Sequence, residues 1–331
     1  MADPVTASAR LSVAPMMDWT DRHCRYLHRL MSARTLLYTE MVTAPALVRG
    51  QARHLLAFNP EEHPVAVQLG GSEPAELAEA TAMACEEGYD EVNLNVGCPS
   101  DRVQSGRFGA VLMTEPALVA RCVSAMIEAA SVEVTVKCRI GVDDQDPEAV
   151  LPDFIARMRD AGVRRMQIHA RKAWLQGLSP KENRDIPPLD YPLVLRMKAR
   201  FPDMHLSING GITSLAQAEA FLADGLDGVM IGRAAYHGPS DVLLQADQRI
   251  YGETTAPRSP EEVVRLMLPY IANHLAEGGK LGNVTRHMLG LFTGRPGARQ
   301  WRRILSEGAH RPGAGVALVE EALGAVSPAA A

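Results

Sequence analysis

No two cysteines in this 331-residue chain are spaced to act as a pair. The five present, Cys24, Cys85, Cys98, Cys122 and Cys138, form no C-x-x-C and are odd in number, which argues against a disulfide framework and against a zinc site. A reducing compartment and no bound metal are therefore expected. Long apolar runs are also missing: nothing approaches the ~18 residues of a membrane span, and the Ala/Ser/Thr-rich N-terminus lacks the apolar stretch of a signal peptide. A cytoplasmic protein with no membrane partner is the expectation. Neither a G-x-G-x-x-G after the first predicted strand nor a Walker lysine motif occurs, so the usual nucleotide signatures of open parallel sheets are absent. Positive charge is in deficit, with 34 Lys and Arg against 39 Asp and Glu, which taken alone speaks against a nucleic-acid partner.

The distribution of charge reverses that impression. Residues 280–311 carry Lys280, Arg286, Arg295, Arg299, Arg302, Arg303 and Arg311 against the single acid Glu307, and residues 164–184 carry Arg164, Arg165, Arg171, Lys172, Lys181 and Arg184 against Glu182. Two basic islands sit in an acidic chain, an electrostatic footprint of the kind that binds phosphate. Arg164 and Arg165 read as strand-edge surface residues and are set aside.

Eight short apolar runs, at 11–16, 36–41, 65–69, 91–96, 132–139, 165–170, 205–209 and 228–231, alternate with stretches of helical spacing. Helix starts are marked by Thr114 ahead of Pro116, and by Ser214 with Gln217 three residues on as a capping box. Read as apolar on both faces, such strands require a parallel sheet covered on all sides, and eight βα units close into a (β/α)8 TIM barrel. A doubly wound open sheet is the alternative. Residues 252–260 have linker composition, so the chain divides into a barrel over 1–251 and a small helical domain over 252–331, whose Ala/Gly-rich tail beyond about Arg311 is expected to fray unless docked.

The most specific segment is Asn93-Leu94-Asn95-Val96-Gly97-Cys98-Pro99-Ser100, where a strand ends in a Gly-Cys-Pro turn. Gly97 has access to backbone angles closed to other residues and Pro99 fixes its own φ, so Cys98 is expected at a rigid strand exit. The competing reading is an ordinary buried cysteine. If function sits at the C-terminal ends of the strands, the residues there are Pro15, Met16 and Met17 on strand one and Gln68 on strand three. They continue with Lys137, His169, Asn209-Gly210-Gly211 and Gly232-Arg233 on strands five to eight. Paired glycines at strand seven and Gly-Arg at strand eight make a phosphate site. Lys137, within a β-type run, is too costly to bury unless it faces an anion or an electron-rich ring. Gln68 suits the amide edge of a flavin.

These motifs carry a resemblance to the tRNA-dihydrouridine synthases over essentially the whole chain, most closely the A subgroup. It rests on Ala14-Pro15-Met16-Met17-Asp18-Trp19-Thr20-Asp21, the Cys98 segment, Gln104-Ser105-Gly106-Arg107-Phe108-Gly109-Ala110, and residues 169–191 from His169-Ala170-Arg171-Lys172 through Lys181 to Tyr191. The resemblance implies an FMN-bound barrel with a helical tRNA-binding domain, reducing the C5–C6 double bond of D-loop uridines 20 and 20a. NADPH, with NADH as a possible substitute, would be the reductant, and no protein partner is implied. FMN would contact Pro15, Met16, Met17, Gln68, Lys137, His169, Asn209, Gly210, Gly211, Gly232 and Arg233. Cys98 would give a proton to C5 as hydride reaches C6. A free thiol, titrating near about 8.5, is mostly protonated at neutral pH. Asn95 would bind the target base or sugar, a loop-tying Asn being the alternative, and Lys181, Arg184, Arg299 and Arg302 match tRNA-contact positions. Two other functions compete: an FMN-dependent reductase of a free pyrimidine or enone, and a non-catalytic RNA-binding protein. The first does not explain the arginine-rich helices, and the second leaves Cys98 and Lys137 without a purpose.

Overall fold

Eight parallel strands follow one another around a closed ring: β1 (Leu11–Val13), β2 (Leu36–Thr43), β3 (Val65–Gly70), β4 (Glu91–Val96), β5 (Glu133–Arg139), β6 (Arg165–His169), β7 (His205–Asn209) and β8 (Gly228–Ile231), with β8 pairing back to β1. The computed structural model describes residues 4–100 and 106–326. Gln104 and Ser105 of the third motif, and the tail over 327–331, lie outside the described residues. The predicted barrel is the observed one. Strand one is shorter than expected, because the chain turns after Pro15 and Met16 O accepts from the N–H groups of Trp19 and Thr20.

Among the described residues, the helices of eight or more residues are α1 (Arg22–Met31), α2 (Pro74–Glu87), α3 (Pro116–Ala129), α4 (Pro147–Asp160), α5 (Tyr191–Arg200) and α6 (Leu215–Ala223) around the barrel. After it come α7 (Pro260–Ala276), α8 (Leu281–Met288), α9 (Ala298–Gly308) and α10 (Val316–Gly324). α3 is capped at Glu115, not Thr114, whose hydroxyl donates back to Val111 O. Only half of the predicted capping box forms. Ser214 accepts from Gln217 N, but the Gln217 side chain reaches one residue further, to Thr213 N. The tail beyond Arg311 is docked through α10, which buries Val319 and Ala322 at helical spacing and packs on α7 and α9.

The main apolar core lies between the sheet and its helices, with Leu37, Val67, Leu94, Val136, Ile168, Ile208 and Ile231 among its members. The opposite strand face corrects the expectation of strands apolar on both sides. Inside the barrel stand Glu91, Asn93 and Asn95 on β4, Thr135 on β5, Arg165, Gln167 and His169 on β6, and Ser207 and Asn209 on β7, all buried. Arg165 is likewise not a surface residue: it is wholly buried, with Nη2 2.8 Å from Glu91 and 2.6 Å from Glu133. A buried guanidinium is tolerable only with such partners. Its interior strand position allows no exposed edge, whereas Arg164, next to it, is exposed.

Candidate active site at the barrel mouth

Cys98 stands two residues beyond the end of β4. Its rigidity does not come from Gly97, whose backbone is outside the left-handed region and where an added Cβ would make only ordinary contacts at 3.5 Å. It comes from hydrogen bonds on every side of the turn. Asn95 Oδ1 accepts from Gly97 N at 3.1 Å and Cys98 N at 3.0 Å. Arg139 Nε donates to Gly97 O at 2.9 Å, and Ala110 N donates to Cys98 O at 2.9 Å. The thiol is half-buried, with Ser100 Oγ 3.6 Å from Sγ, whereas Cys24, Cys122 and Cys138 are fully buried.

Asn95 is paired across the sheet with Lys137. Its amide N–H donates to Gln68 Oε1 at 2.7 Å, so each end of the side chain already has a protein partner and the loop-tying role is the one on view. Lys137 is half-buried and makes no hydrogen bond or ion pair with any described residue; burial, then the neighbouring Arg139 charge, lower its ammonium to about 8. His169, paired in register with both Arg139 and Asn209, is pushed well below the usual imidazole range by burial and then by Arg139, Lys137, Arg171 and Arg184. It is a neutral ring in a positive field.

Gly210 and Gly211 follow β7 with φ of 109° and 70°, angles that L side chains rarely adopt. A Cβ on Gly210 would strike the His169 ring at 2.5 Å, and one on Gly211 would meet Leu189 and the Tyr191 hydroxyl. Two successive left-handed glycines with no room for a side chain form a cradle for an anion. Tyr191 fixes it from behind, donating to Gly210 O at 2.7 Å, while Asn209 donates to Met230 O at 2.8 Å and ties β7 to β8. Gly232 precedes a short helix, Arg233–His237, and Arg233 pairs with Asp185 at 2.8 Å. Met17 is more than half exposed after β1, with Pro15 and Met16 below it. The residues present thus fit a phosphorylated, electron-rich ring. Glycine cradle, uncommitted ammonium and neutral imidazole stand at the C-terminal ends of their strands, whereas the Gln68 amide is buried and already bonded at both ends, to Asn93 and Asn95.

Sequence reasoning missed Arg139, which stands two residues after Lys137 on the same strand face. It clamps Gly97 O, Lys172 O and Asn183 O together. Two cations at i and i+2 of one strand were the signal available.

The basic islands sort by partner. Arg286 is bound to Asp21 and Arg295 to Glu261. Arg171 is held by the Pro187 carbonyl, and Lys172 donates to Gln145 O. Lys181 and Arg184 are exposed in the loop after β6, and Arg299, Arg302 and Arg303 are exposed on α9 with no acidic partner among the described residues. The C-terminal helices reach the mouth through Asp21, which caps α1 and binds both Arg286 and His287, and through Tyr236, which stacks on Trp19 and meets His287 edge-on.

The profile of the dihydrouridine synthase family matches residues 12–327. The chain is 58% identical over 320 residues to the tRNA-dihydrouridine(20/20a) synthase of Vibrio cholerae, covering 96% of this chain and 97% of that protein. The protein of the same name from Escherichia coli K12 is 58% identical over 317 residues, 96% of this chain and 91% of its own. In fold, morphinone reductase aligns with 77% of this chain and 88% of its own at a TM-score of 0.52 and 14% identity. An old yellow enzyme homologue from Zymomonas mobilis aligns with 77% and 91% at 0.53 and 12%. At such identities the likeness is one of fold alone.

Proposed function

This chain belongs to the dihydrouridine synthase family, flavin-dependent oxidoreductases, and from that premise we propose that it reduces uridines 20 and 20a of the tRNA D-loop to 5,6-dihydrouridine, with FMN as bound cofactor and NADPH as reductant. The relatives' printed name, tRNA-dihydrouridine(20/20a) synthase, supports the choice of positions. The free thiols, all five, suit a reducing cytoplasm.

When bound, FMN supplies the hydride that goes to C6, its electrons coming from NADPH. The remaining roles fall to the chain. Gly210, Gly211, Gly232 and Arg233 would hold the phosphate, with Asn209 fixing their spacing. Pro15, Met16, Met17, Lys137 and His169 would line the ring, the Gln68 amide being committed to Asn93 and Asn95, and Lys137 would face its electron-rich edge with a charge that no carboxylate among the described residues neutralises. Cys98 holds a proton on Sγ and donates it to C5 as the C5–C6 π bond is lost. Asn95 acts by holding that turn.

A uridine inside folded tRNA must leave its stack to reach the mouth, at a cost of a few kcal/mol. Lys181 and Arg184 beside the mouth and Arg299 and Arg302 on α9 would offset that cost through the phosphate backbone. The helical segment over 252–331 serves in this reading as the tRNA platform on the catalytic barrel over 1–251. A reductase of free pyrimidines would need none of these exposed arginines.

The observation that carries the proposal is a half-buried cysteine in a hydrogen-bonded turn after β4, at the same end of the barrel as the left-handed glycine pair after β7. Its test is mass spectrometry of nucleosides from unmodified tRNA incubated with enzyme and NADPH. A gain of two mass units at positions 20 and 20a is expected, slowed at least ~100-fold by Cys98→Ala, while NADPH still bleaches the bound flavin. Bleaching without any gain in tRNA mass would overturn the substrate assignment.

A further inference from the structure

The barrel interior contains a hydrogen-bond chain in which every donor points the same way. Asn95 Nδ2 donates to Gln68 Oε1 at 2.7 Å, Gln68 Nε2 to Asn93 Oδ1 at 2.8 Å, and Asn93 Nδ2 to both Thr135 Oγ1 at 2.7 Å and Gln167 Oε1 at 2.9 Å. From there two branches run to one atom. Thr135 donates its hydroxyl proton to Glu91 Oε1, while Gln167 Nε2 donates to Tyr38 OH at 3.1 Å and Tyr38 donates to the same Glu91 Oε1 at 2.6 Å. Glu91 has no exposed surface, and its other oxygen lies 2.8 Å from Arg165 Nη2.

An ionised carboxylate accepts only, and this fixes the direction of everything above it. The Thr135 and Tyr38 hydroxyls must give their protons to Glu91, so both oxygens are left as acceptors for amides. Asn93 and Gln167 must therefore turn their NH2 groups downward. Asn93 then offers its carbonyl to Gln68, Gln68 offers its carbonyl to Asn95, and Asn95 is left with its carbonyl facing the Gly97 and Cys98 N–H groups. A reversed Asn95 would set an NH2 against two N–H donors and open the turn.

We propose that Glu91, at the floor of the barrel, is a remote positioning residue for the catalytic turn: through Thr135, Tyr38, Gln167, Asn93 and Gln68 its carboxylate sets the amide orientation of Asn95, and so the place of Cys98. This rests on the reading of Cys98 as proton donor. Glu91 touches neither substrate nor cofactor. Its distinctive prediction is that its effect passes through Asn95.

The variant Glu91→Gln keeps the shape but brings donors where only acceptors stood, and Arg165 keeps Glu133 at 2.6 Å. Three readouts separate positioning from general damage: iodoacetamide labelling of Cys98 followed by peptide mass, single-turnover reduction of tRNA by pre-reduced holoenzyme, and flavin reduction by NADPH. Glu91→Gln is expected to change the Cys98 labelling rate at least threefold and to slow the tRNA step at least tenfold, with the NADPH step within twofold of wild type. Asn95→Ala should do the same, and the double variant should be no slower than Asn95→Ala alone. Multiplying effects in the double variant, unchanged labelling, or equal losses in both half-reactions would each overturn the proposal. Should Glu91→Gln fail to fold, Thr135→Val with Gln167→Leu cuts both branches while leaving the Arg165 ion contacts, and is judged by the same three readouts. If wild type makes no dihydrouridine at all, the substrate reading fails, and Cys98 labelling still decides whether Glu91 controls the turn.

Discussion

Arg165 shows how far a single side chain can depart from its sequence context. In a run with Arg164 it reads as surface charge, yet it lies at the barrel floor between Glu91 and Glu133, its guanidinium held above its usual range by those carboxylates against the cost of burial. Removing one member of a buried ion cluster strands the others. Arg165→Met is expected to lower unfolding free energy by about 3–5 kcal/mol, measured by urea denaturation, and a loss under 1 kcal/mol would mean that the cluster is solvated. At the other end of β4, Asn95 does the work that Gly97 was expected to do. A glycine is visible in sequence as freedom, but an Asx-type hydrogen bond to the next N–H groups is visible only once the side chain has a direction.

At the scale of the element, α1 is where the barrel and the C-terminal helices meet. Asp21 caps it by accepting from His23 N and Cys24 N. Burial works to raise the Asp21 carboxyl, but the hydrogen bond and charge of His287, the Cys24 N–H and Arg286 hold it well below the usual carboxylate range. His23 Nδ1 meets the Tyr270 hydroxyl of α7 at 2.7 Å. Burial lowers His23 to about 4 and His28 to about 3. Both stay neutral in the folded protein while the unfolded chain, at 6.5, takes up protons, so stability falls as pH drops below 6.5 and the loss is complete only below the folded values. At pH 5 the two together account for about 4 kcal/mol relative to pH 8. Asp21 adds a further loss, confined to pH below its unfolded value of 3.8. Thermal unfolding between pH 8 and 5 should show this slope together with like contributions from His169 and His205, whose rings burial also lowers, and His28→Gln should remove about 2 kcal/mol of it. An unchanged slope would remove His28 from the account.

Across the whole molecule, the net charge of −5 conceals a division of labour among the cations. Arg286 and Arg295 are bound to acids that hold the C-terminal helices in place, whereas Arg299, Arg302 and Arg303 leave α9 uncommitted. Replacing these three by Ala should lower the slope of log affinity for tRNA against log salt by about 2–3, with single-turnover reduction at saturating tRNA little changed. A filter-binding series in KCl gives the slope directly. No change would move the RNA platform elsewhere. No described helix is long and apolar enough to cross a membrane.

The sequence by itself determined the barrel, because eight short β runs separated by helix starts admit few other closures, and it determined the mouth, because the end of each strand is adjacent in sequence to the loop that carries the chemistry. The placing of Cys98, Lys137, His169 and the paired glycines at or just beyond the ends of their strands was legible on that basis. The polar alternation of Glu91, Asn93 and Asn95 was also legible, though it was read as part of an apolar strand; a period of two marks two faces but does not say which faces the barrel interior. What only the tertiary structure decided were the relations among strands: Arg139 reaching Gly97, Arg165 between two glutamates, and the one-way chain from Asn95 to Glu91. Those bonds join residues 25 to 129 positions apart, and their direction is set by where the single buried carboxylate among the amides comes to lie.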